Sequence, residues 1–338
     1  MNNGRIRALT GLCLSVLLLG GCGRRQEQEP ISRSEFLLNT FVTVTIYDSQ
    51  DESLLEDCLD LCRDYENLLS ATIPGSEIYQ INHRTPGTER VQVSEETAKL
   101  IGEGLYFGDL TDGAFDITIE PLSSLWDFTS EDPVLPDPEA IRQAANKVDY
   151  RKVQVEGNEI VLLSPDVSID LGAIAKGYIA DRMKDYLQEH GVESAVLNLG
   201  GNVLCLGERP DGTPFRIGLQ MPFEDRNETI AALEINDLSV VTSGVYERHF
   251  VIDGVNYHHI LNPHSGYPYE NGLLSVTIVS PRSVDGDALS TSCFSLGLEK
   301  GMELAESMEG VYAYFVTDDY EIHYSQGAEE LLDKQPSA

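Results

Sequence analysis

The feature that most constrains the fold is a stretch of small residues at 170–181, which reads DLGAIAKGYIAD. It follows an apolar run at 159–170 that predicts a buried strand, and Asp170 stands where a helix N-cap would stand. Small side chains at such a junction let a second backbone or a bulky ligand come close. Because a helix N-terminus favours negative charge, Lys176 would strengthen an anion site there. On its own, the stretch fits a tightly packed junction as well as an anion site.

The order of the predicted elements indicates the fold class. Residues 36–47 are rich in β-branched and aromatic residues and predict a strand, whereas 52–70 predict a helix. Residues 151–164 predict a hairpin that turns at 157–158, and a helix is predicted from about 285 to 308. Strands and helices therefore lack regular βαβ alternation. This favours an α+β fold, with mixed, mainly antiparallel sheets and packed helices, over a doubly wound α/β fold.

The charge balance excludes one class of partner. The chain of 338 residues has 56 acidic and 23 basic residues, a formal net charge of -33. Nucleic-acid-binding proteins normally carry a basic patch, and the sequence shows none, so no nucleic-acid partner is expected. An anionic substrate would have to be attracted by local features such as a metal ion, a lysine or a helix end.

The first residues predict export and a lipid anchor. Arg5 and Arg7 precede an apolar segment, 8–21, that is too short to span a membrane as a mature helix. The segment ends Leu-Gly-Gly before Cys22, which resembles a bacterial lipoprotein signal. An ordinary secretory signal with an incidental cysteine is the alternative. We therefore expect a signal peptide at 1–21, a lipidated Cys22, a tether at 22–34, and one domain at 35–332 outside the cytoplasm, anchored to the cytoplasmic membrane.

Three clusters could carry chemistry. Asp287 and Thr291 are four residues apart at a predicted helix start, so their oxygens would share one face, and hard oxygen ligands suit Mg²⁺. A capping aspartate with a buried threonine is the simpler interpretation of this pair.

His258 and His259 are consecutive in a predicted strand, so only one of them can face a given pocket. His259 lies beside a turn and is the catalytic candidate, although a structural histidine is equally compatible. The third cluster, 114–116 (Ala-Phe-Asp), could offer backbone amides and an aromatic ring to a planar ligand, or its ring could belong to the core.

Taken in order, six motifs between about 36 and 314 are more specific than any one of them. They are FDITIEPL, DLGAIAKGY, NLGGN, VVTSGVYER, HHILNPHSGYP and DGDALST. This series resembles the FAD:protein FMN transferases, the ApbE-like family of flavin transferases, whose lipoprotein members fit the predicted signal. The resemblance implies an ApbE-like domain related to the T-fold.

The resemblance also implies an activity and a site. Enzymes of this family transfer the FMN part of FAD to a threonine or serine hydroxyl of a target protein, release AMP and require Mg²⁺. The implied partners are FAD and a secreted or membrane-anchored acceptor protein. The implied catalytic residue is His259, which would activate the hydroxyl. The chain departs from the family pattern at Asn262, where many relatives have aspartate. The implied ligands of the metal are the carbonyl of Ala173 and the side chains of Asp287 and Thr291, and the implied FAD contacts are Leu38, Ala114, Phe115, Asp116, Asp170, Lys176 and Ile260.

The motifs leave two other functions open. In a FAD pyrophosphatase with the same scaffold, water would replace the protein hydroxyl and the products would be FMN and AMP. A flavin-binding lipoprotein without catalytic activity would need the pocket but not the chemistry.

Overall fold

The computed structural model describes residues 29–334 apart from 129, 131 and 226. The predicted signal peptide and Cys22 lie outside the described residues. The strands are β1 (Ile31–Leu37), β2 (Thr40–Ile46), β3 (Arg90–Gln92), β4 (Val153–Glu156), β5 (Glu159–Leu162), β6 (Ala195–Leu199), β7 (Asn202–Leu206), β8 (Phe215–Gln220), β9 (Thr229–Ile235), β10 (Ser239–Gly244), β11 (His249–Ile252), β12 (Val255–His258), β13 (Leu273–Ser280), β14 (Tyr312–Thr317) and β15 (Ile322–Tyr324). The helices are α1 (Ser53–Leu69), α2 (Glu77–Asn82), α3 (Glu95–Leu110), α4 (Glu120–Trp126), α5 (Pro138–Ala145), α6 (Ala175–Glu189) and α7 (Ser283–Glu306).

The described strands form one large sheet and three small ones. The large sheet has eight strands in the order β1-β2-β6-β7-β10-β13-β14-β15, and every neighbouring pair is antiparallel. The small sheets are β3-β5-β4, β8-β9 and β11-β12. The predicted α+β class with mainly antiparallel sheets is confirmed.

Both faces of the large sheet are buried. Neighbouring residues of a strand point to opposite faces, and in β13 Ile278 belongs to the main core whereas Val279 belongs to a second one. Helices α1, α6 and α7 contribute to the main core. The β8–β9 hairpin contributes Phe215 and Leu233 to the second. The sheet is thus a layer between helices and a hairpin, and it fixes α6 and α7 against each other.

Helices α6 and α7 cap one another. On α6, Asp181 accepts hydrogen bonds from the backbone N–H of Ser283 (2.8 Å) and Val284 (2.9 Å) at the start of α7. On α7, Asp287 accepts one from the backbone N–H of Gly177 in the first turn of α6 (2.9 Å). A Cβ atom on Gly177 would lie 2.2 Å from the carbonyl oxygen of Ser283, so only glycine permits this approach. The small residues of 170–181 therefore serve close helix packing, which holds Asp287 at the start of α6.

The structure corrects several predicted boundaries. The strand predicted at 36–47 is a hairpin, because Leu38 (φ 54°) and Asn39 (φ 56°) form a turn in the left-handed region between β1 and β2. Strand β1 begins at Ile31, four residues before the expected domain start, since residues 31–34 pair with β2. Strand β5 ends at Leu162, so the apolar run at 159–170 is only partly extended. Within residues 29–334 as described, no helix is both long and apolar enough to cross a membrane.

Candidate active site

One large pocket brings the predicted site residues together. Its volume is about 830 Å³, and its walls come from the β1–β2 turn, the loop after α3, the start of α6, strand β10, the segment after β12, and α7. Eleven of the twelve predicted site residues line it, and Cys22 lies outside the described residues. These eleven are Leu38, Ala114, Phe115, Asp116, Asp170, Ala173, Lys176, His259, Ile260, Asp287 and Thr291.

Asp287 and Lys176 form the charged end of the pocket. Asp287 is 4 % exposed, and its Oδ1 lies 3.4 Å from Nζ of Lys176. Its Oδ2 accepts the hydrogen bond from Gly177 described above. Thr291 is one turn further along α7, with its Oγ1 3.1 Å from Oγ of Ser243 in β10. Asp287 and Thr291 lie one turn apart on α7 and both line the pocket, and Lys176 and the start of α6 lie beside Asp287.

The other two aspartates are tied to the protein itself. Asp170 is not a helix N-cap, because α6 begins at Ala175 and Ile174 occupies the capping position. Instead Asp170 accepts hydrogen bonds from the backbone N–H of Gly172 (2.8 Å) and from Oγ of Ser123 (2.7 Å). Its carboxylate thus shapes the loop that leads into α6.

Asp116 has a similar role. Its carboxylate accepts hydrogen bonds from N–H (2.7 Å) and Oγ1 (2.6 Å) of Thr118 and from N–H of Tyr150 (2.9 Å). Burial raises the pKa of Asp116, and the hydrogen bonds from Thr118 and Tyr150 oppose that rise. The side chain fixes the loop, so any ligand contact at 114–116 would fall mainly on the backbone.

The apolar members of the site belong partly to the core. Phe115 is 3 % exposed and its ring packs beside that of Phe107, which agrees with the simpler interpretation of this aromatic. Ile260 is 4 % exposed. The backbone N–H of Leu38 donates to Oε1 of Glu66 (2.8 Å), which holds the β1–β2 turn at the pocket wall.

The two consecutive histidines have different surroundings. His258 is buried, its Nε2 donates to the carbonyl oxygen of Tyr269 (3.0 Å) and its Nδ1 accepts from the N–H of Ile260 (3.3 Å). His259 lines the pocket, and its buried Nδ1 has no hydrogen-bond partner among the described residues. Burial lowers the pKa of His259 to about 3, and the nearby charge of Arg248 adds to the effect. The ring is therefore neutral near pH 7, with a nitrogen able to accept a proton.

Comparison with known proteins assigns the chain to a family. The model of the ApbE family matches residues 38–315. The chain belongs to the ApbE family.

Relatives agree over most of the chain. A Klebsiella pneumoniae protein named FAD:protein FMN transferase is 41% identical over 293 residues, which are 86% of this chain and 90% of that protein. A Treponema pallidum protein of the same name is 33% identical over 91% of this chain and 90% of its own. Membership in the ApbE family makes the chain an enzyme of the flavin-transferase type.

Solved ApbE structures have the same fold. The ApbE protein of Thermotoga maritima superposes with a TM-score of 0.82 at 32% identity, covering 90% of this chain and 100% of that one. The flavin transferase ApbE of Vibrio cholerae gives a TM-score of 0.81 at 28% identity, covering 90% and 99%.

The oxygen atoms of this ApbE site fit Mg²⁺. The predicted ligands are the Asp287 carboxylate, the Thr291 hydroxyl and the Ala173 carbonyl, all hard donors. No group of three or more histidine, cysteine, aspartate or glutamate side chains that could hold a metal occurs among the described residues. A site with one carboxylate suits an ion that keeps several waters or shares substrate phosphates, as Mg²⁺ commonly does.

Several pocket residues were not singled out from the sequence. Ser123, Asn202, Ser243 and Arg248 all line the pocket. Asn202 lies in the NLGGN motif, and Ser243 and Arg248 lie in VVTSGVYER, so the motifs signalled these positions without giving them roles. Ser123 follows the FDITIEPL motif directly and had no signal of its own.

Proposed function

We propose that this protein transfers the FMN part of FAD to a threonine or serine hydroxyl of a target protein, releases AMP and depends on Mg²⁺. The observation that carries the proposal is the single pocket that unites Lys176, His259, Asp287 and Thr291 in a chain of the ApbE family. The names of the curated relatives support FAD as the donor and a protein as the acceptor.

The reaction exchanges one phosphate ester for another. The acceptor oxygen bonds to the FMN-side phosphorus of FAD, the bond from that phosphorus to the bridging oxygen breaks, and the bridging oxygen leaves with AMP. Negative charge grows on the leaving phosphate, so fixed positive groups accelerate the step. Lys176 Nζ and the start of α6 provide such groups at the charged end of the pocket. Mg²⁺ held by Asp287, Thr291 and the carbonyl of Ala173 would neutralise phosphate oxygens.

The acceptor hydroxyl must also lose its proton. His259 lines the pocket, and its ring is neutral because burial lowers its pKa to about 3. It can therefore take the proton as the new ester forms. A pKa this low makes the free imidazole a weak base. The arriving phosphates would raise that pKa, since negative charge near a histidine favours its protonated form.

Anion binding by this acidic protein would depend on the few positive groups nearest the ligand. The whole chain has a formal charge of -33, and seven carboxylate residues line the pocket beside Lys176 and Arg248. Charges that are close to a ligand and partly shielded from water outweigh distant ones, which salt screens.

The deciding experiment follows flavin with and without an acceptor. We expect the protein, incubated with FAD, Mg²⁺ and a purified acceptor domain, to add a mass equal to FMN to that domain and to release AMP. FMN release at equal rates with and without the acceptor, with no flavin on the acceptor, would instead identify a FAD pyrophosphatase.

We further propose that Cys22 is lipidated and anchors the enzyme outside the cytoplasmic membrane, where its acceptors would be secreted or membrane-anchored. The support is the apolar segment that ends Leu-Gly-Gly before Cys22. In cells, Cys22→Ser should move the protein from the membrane fraction to the soluble fraction, because it removes the residue that would carry the lipid. Cys13→Ser, which changes a cysteine inside the signal, should leave it in the membrane fraction. Equal membrane retention of both variants would refute the anchor.

A further inference from the structure

Asn202 has an unused hydrogen-bond donor at the pocket wall. Its side chain is 1 % exposed and lines the pocket. The Oδ1 atom accepts a hydrogen bond from Oγ of Ser283 (2.8 Å), whereas Nδ2 has no partner among the described residues. Buried polar groups are almost always paired in folded proteins, so an unpaired one beside a pocket is a position where a bound ligand or a water molecule could supply the partner.

A short chain of hydroxyls adjoins the amide. Oγ of Ser283 lies 2.8 Å from Oδ1 of Asn202 and 2.9 Å from Oγ of Ser239, which lies 3.3 Å from the carbonyl oxygen of Val203. With Ser283 donating to Oδ1, Nδ2 has no partner among the described residues.

Asn202 stands near the charged end of the pocket. It pairs with Val241 of β10 in the sheet, and Ser243, two residues further along that strand, contacts Thr291. Its partner Ser283 lies on α7 one helical turn before Asp287. Ser283 therefore contacts Asn202 with its side chain and packs with its backbone against Gly177, beside Asp287.

We propose that Nδ2 of Asn202 donates a hydrogen bond to a phosphate oxygen of bound FAD. This inference rests on the proposed function, because it takes FAD as the substrate. A neutral amide donor is suited to an anionic oxygen, since a hydrogen bond to a charged acceptor is stronger than one to a neutral acceptor. It also adds no charge next to Lys176. Asn202 would hold the pyrophosphate from the sheet side, opposite the start of α6.

The test measures affinity for ADP, which has the pyrophosphate without the flavin, and for FAD, both by calorimetry with Mg²⁺ present. Asn202→Ala removes the donor without adding charge and should weaken ADP and FAD binding about 10-fold, the scale for losing a hydrogen bond to a charged group. Asn202→Asp keeps an acceptor for Ser283 but turns the donor into a negative charge, so the loss should be larger. Thermal unfolding establishes which variants are folded.

The matched control is Asn198→Asp. Asn198 is exposed, belongs to the same motif, does not line the pocket, and accepts a hydrogen bond from the N–H of Gly201 (3.2 Å), which aspartate can also accept. The Asn198→Asp variant should bind ADP with an affinity within about twofold of wild type. The comparison separates the effect of a charge beside the ligand from that of a charge elsewhere on the protein.

The outcomes separate this inference from the proposed function. If the wild type binds neither FAD nor ADP, the proposed function is wrong. If the wild type binds and transfers flavin, but a folded Asn202→Ala protein binds ADP as tightly as wild type, only the role of Asn202 is wrong. Weaker FAD binding with unchanged ADP binding would place the amide on the flavin half and also overturn the phosphate contact.

Discussion

Asp287→Asn should lower flavin transfer by about 10²-fold or more while leaving the fold intact. The carboxamide can still accept the hydrogen bond from Gly177, which the carboxylate accepts at 2.9 Å, so α6 and α7 stay joined. What is lost is the negative charge 3.4 Å from Lys176, together with the proposed Mg²⁺ ligand. Losses of this size are typical when an electrostatic element of an active site is removed.

The experiment combines initial rates of transfer, their dependence on Mg²⁺ concentration, and thermal unfolding. Asp285→Asn is the matched control, because Asp285 is on the same helix but pairs with Arg282 (3.2 Å) and does not line the pocket. It should retain activity within about twofold. Asp287→Ala should unfold at a lower temperature than Asp287→Asn, since it also removes the acceptor for Gly177. Near-normal activity and Mg²⁺ dependence in Asp287→Asn would eliminate this residue as a metal ligand.

The interplay of α6 and α7 explains why Asp287 has two roles. Asp181 of α6 caps α7, and Asp287 of α7 binds the first turn of α6. Burial raises the pKa of Asp181 to about 6, against the hydrogen bonds from Val284 and Ser283. The reciprocal contacts set the distance between Lys176 and Asp287, so packing and the charged end of the pocket depend on the same residues.

Hydrophobic periodicity and turn residues predict most local elements, but they do not reveal a turn whose own residues favour a strand. The β4–β5 hairpin and α1 were predicted within a few residues, because a Gly-Asn turn and an apolar helical stripe mark them. The sequence did not predict the β1–β2 turn, since residues 36–47 favour a strand throughout and leucine, which stands at position 38, rarely adopts a positive φ.

The site was predicted through the order of its motifs, whereas its long-range contacts could not be. The eleven predicted residues share one pocket although they come from distant segments. Ser123 bonds to Asp170 across 47 residues, and Ser283 bonds to Asn202 across 81. Such pairs have no spacing pattern, because tertiary packing and not the local chain brings them together.

His259→Ala should lower flavin transfer by about 10²-fold or more, the usual scale for a general base. The control is His264→Ala, because His264 is exposed and does not line the pocket. Burial holds the pKa of His259 near 3, so protonation of this ring should not lower wild-type kcat/KM around pH 6.5. The pH profiles of kcat/KM for wild type and His259→Ala should therefore have the same shape in that range. Activity of His259→Ala within about twofold of wild type would remove this residue from the role of base.

The same pKa predicts an effect on stability that does not depend on catalysis. The folded-state pKa of His259 is about 3, below its ordinary value of 6.5, so the unfolded chain binds the proton more readily between these values. The part of the unfolding free energy that depends on neutral His259 should therefore be fully present above pH 6.5 and be lost as the pH falls towards 3. Between pH 7 and 5 the wild type should lose about 1–2 kcal/mol more unfolding free energy than His259→Ala, by the conversion of about 1.4 kcal/mol per pH unit.

Denaturant unfolding at both pH values measures this difference. Asp181, with its pKa raised to about 6, acts in the opposite direction, and burial lowers the pKa of His258 to about 4. Both groups remain in both proteins, so subtracting one from the other isolates His259. Parallel losses in the two proteins would show that burial does not lower the pKa of His259, although an imidazole with an ordinary pKa could still accept the proton.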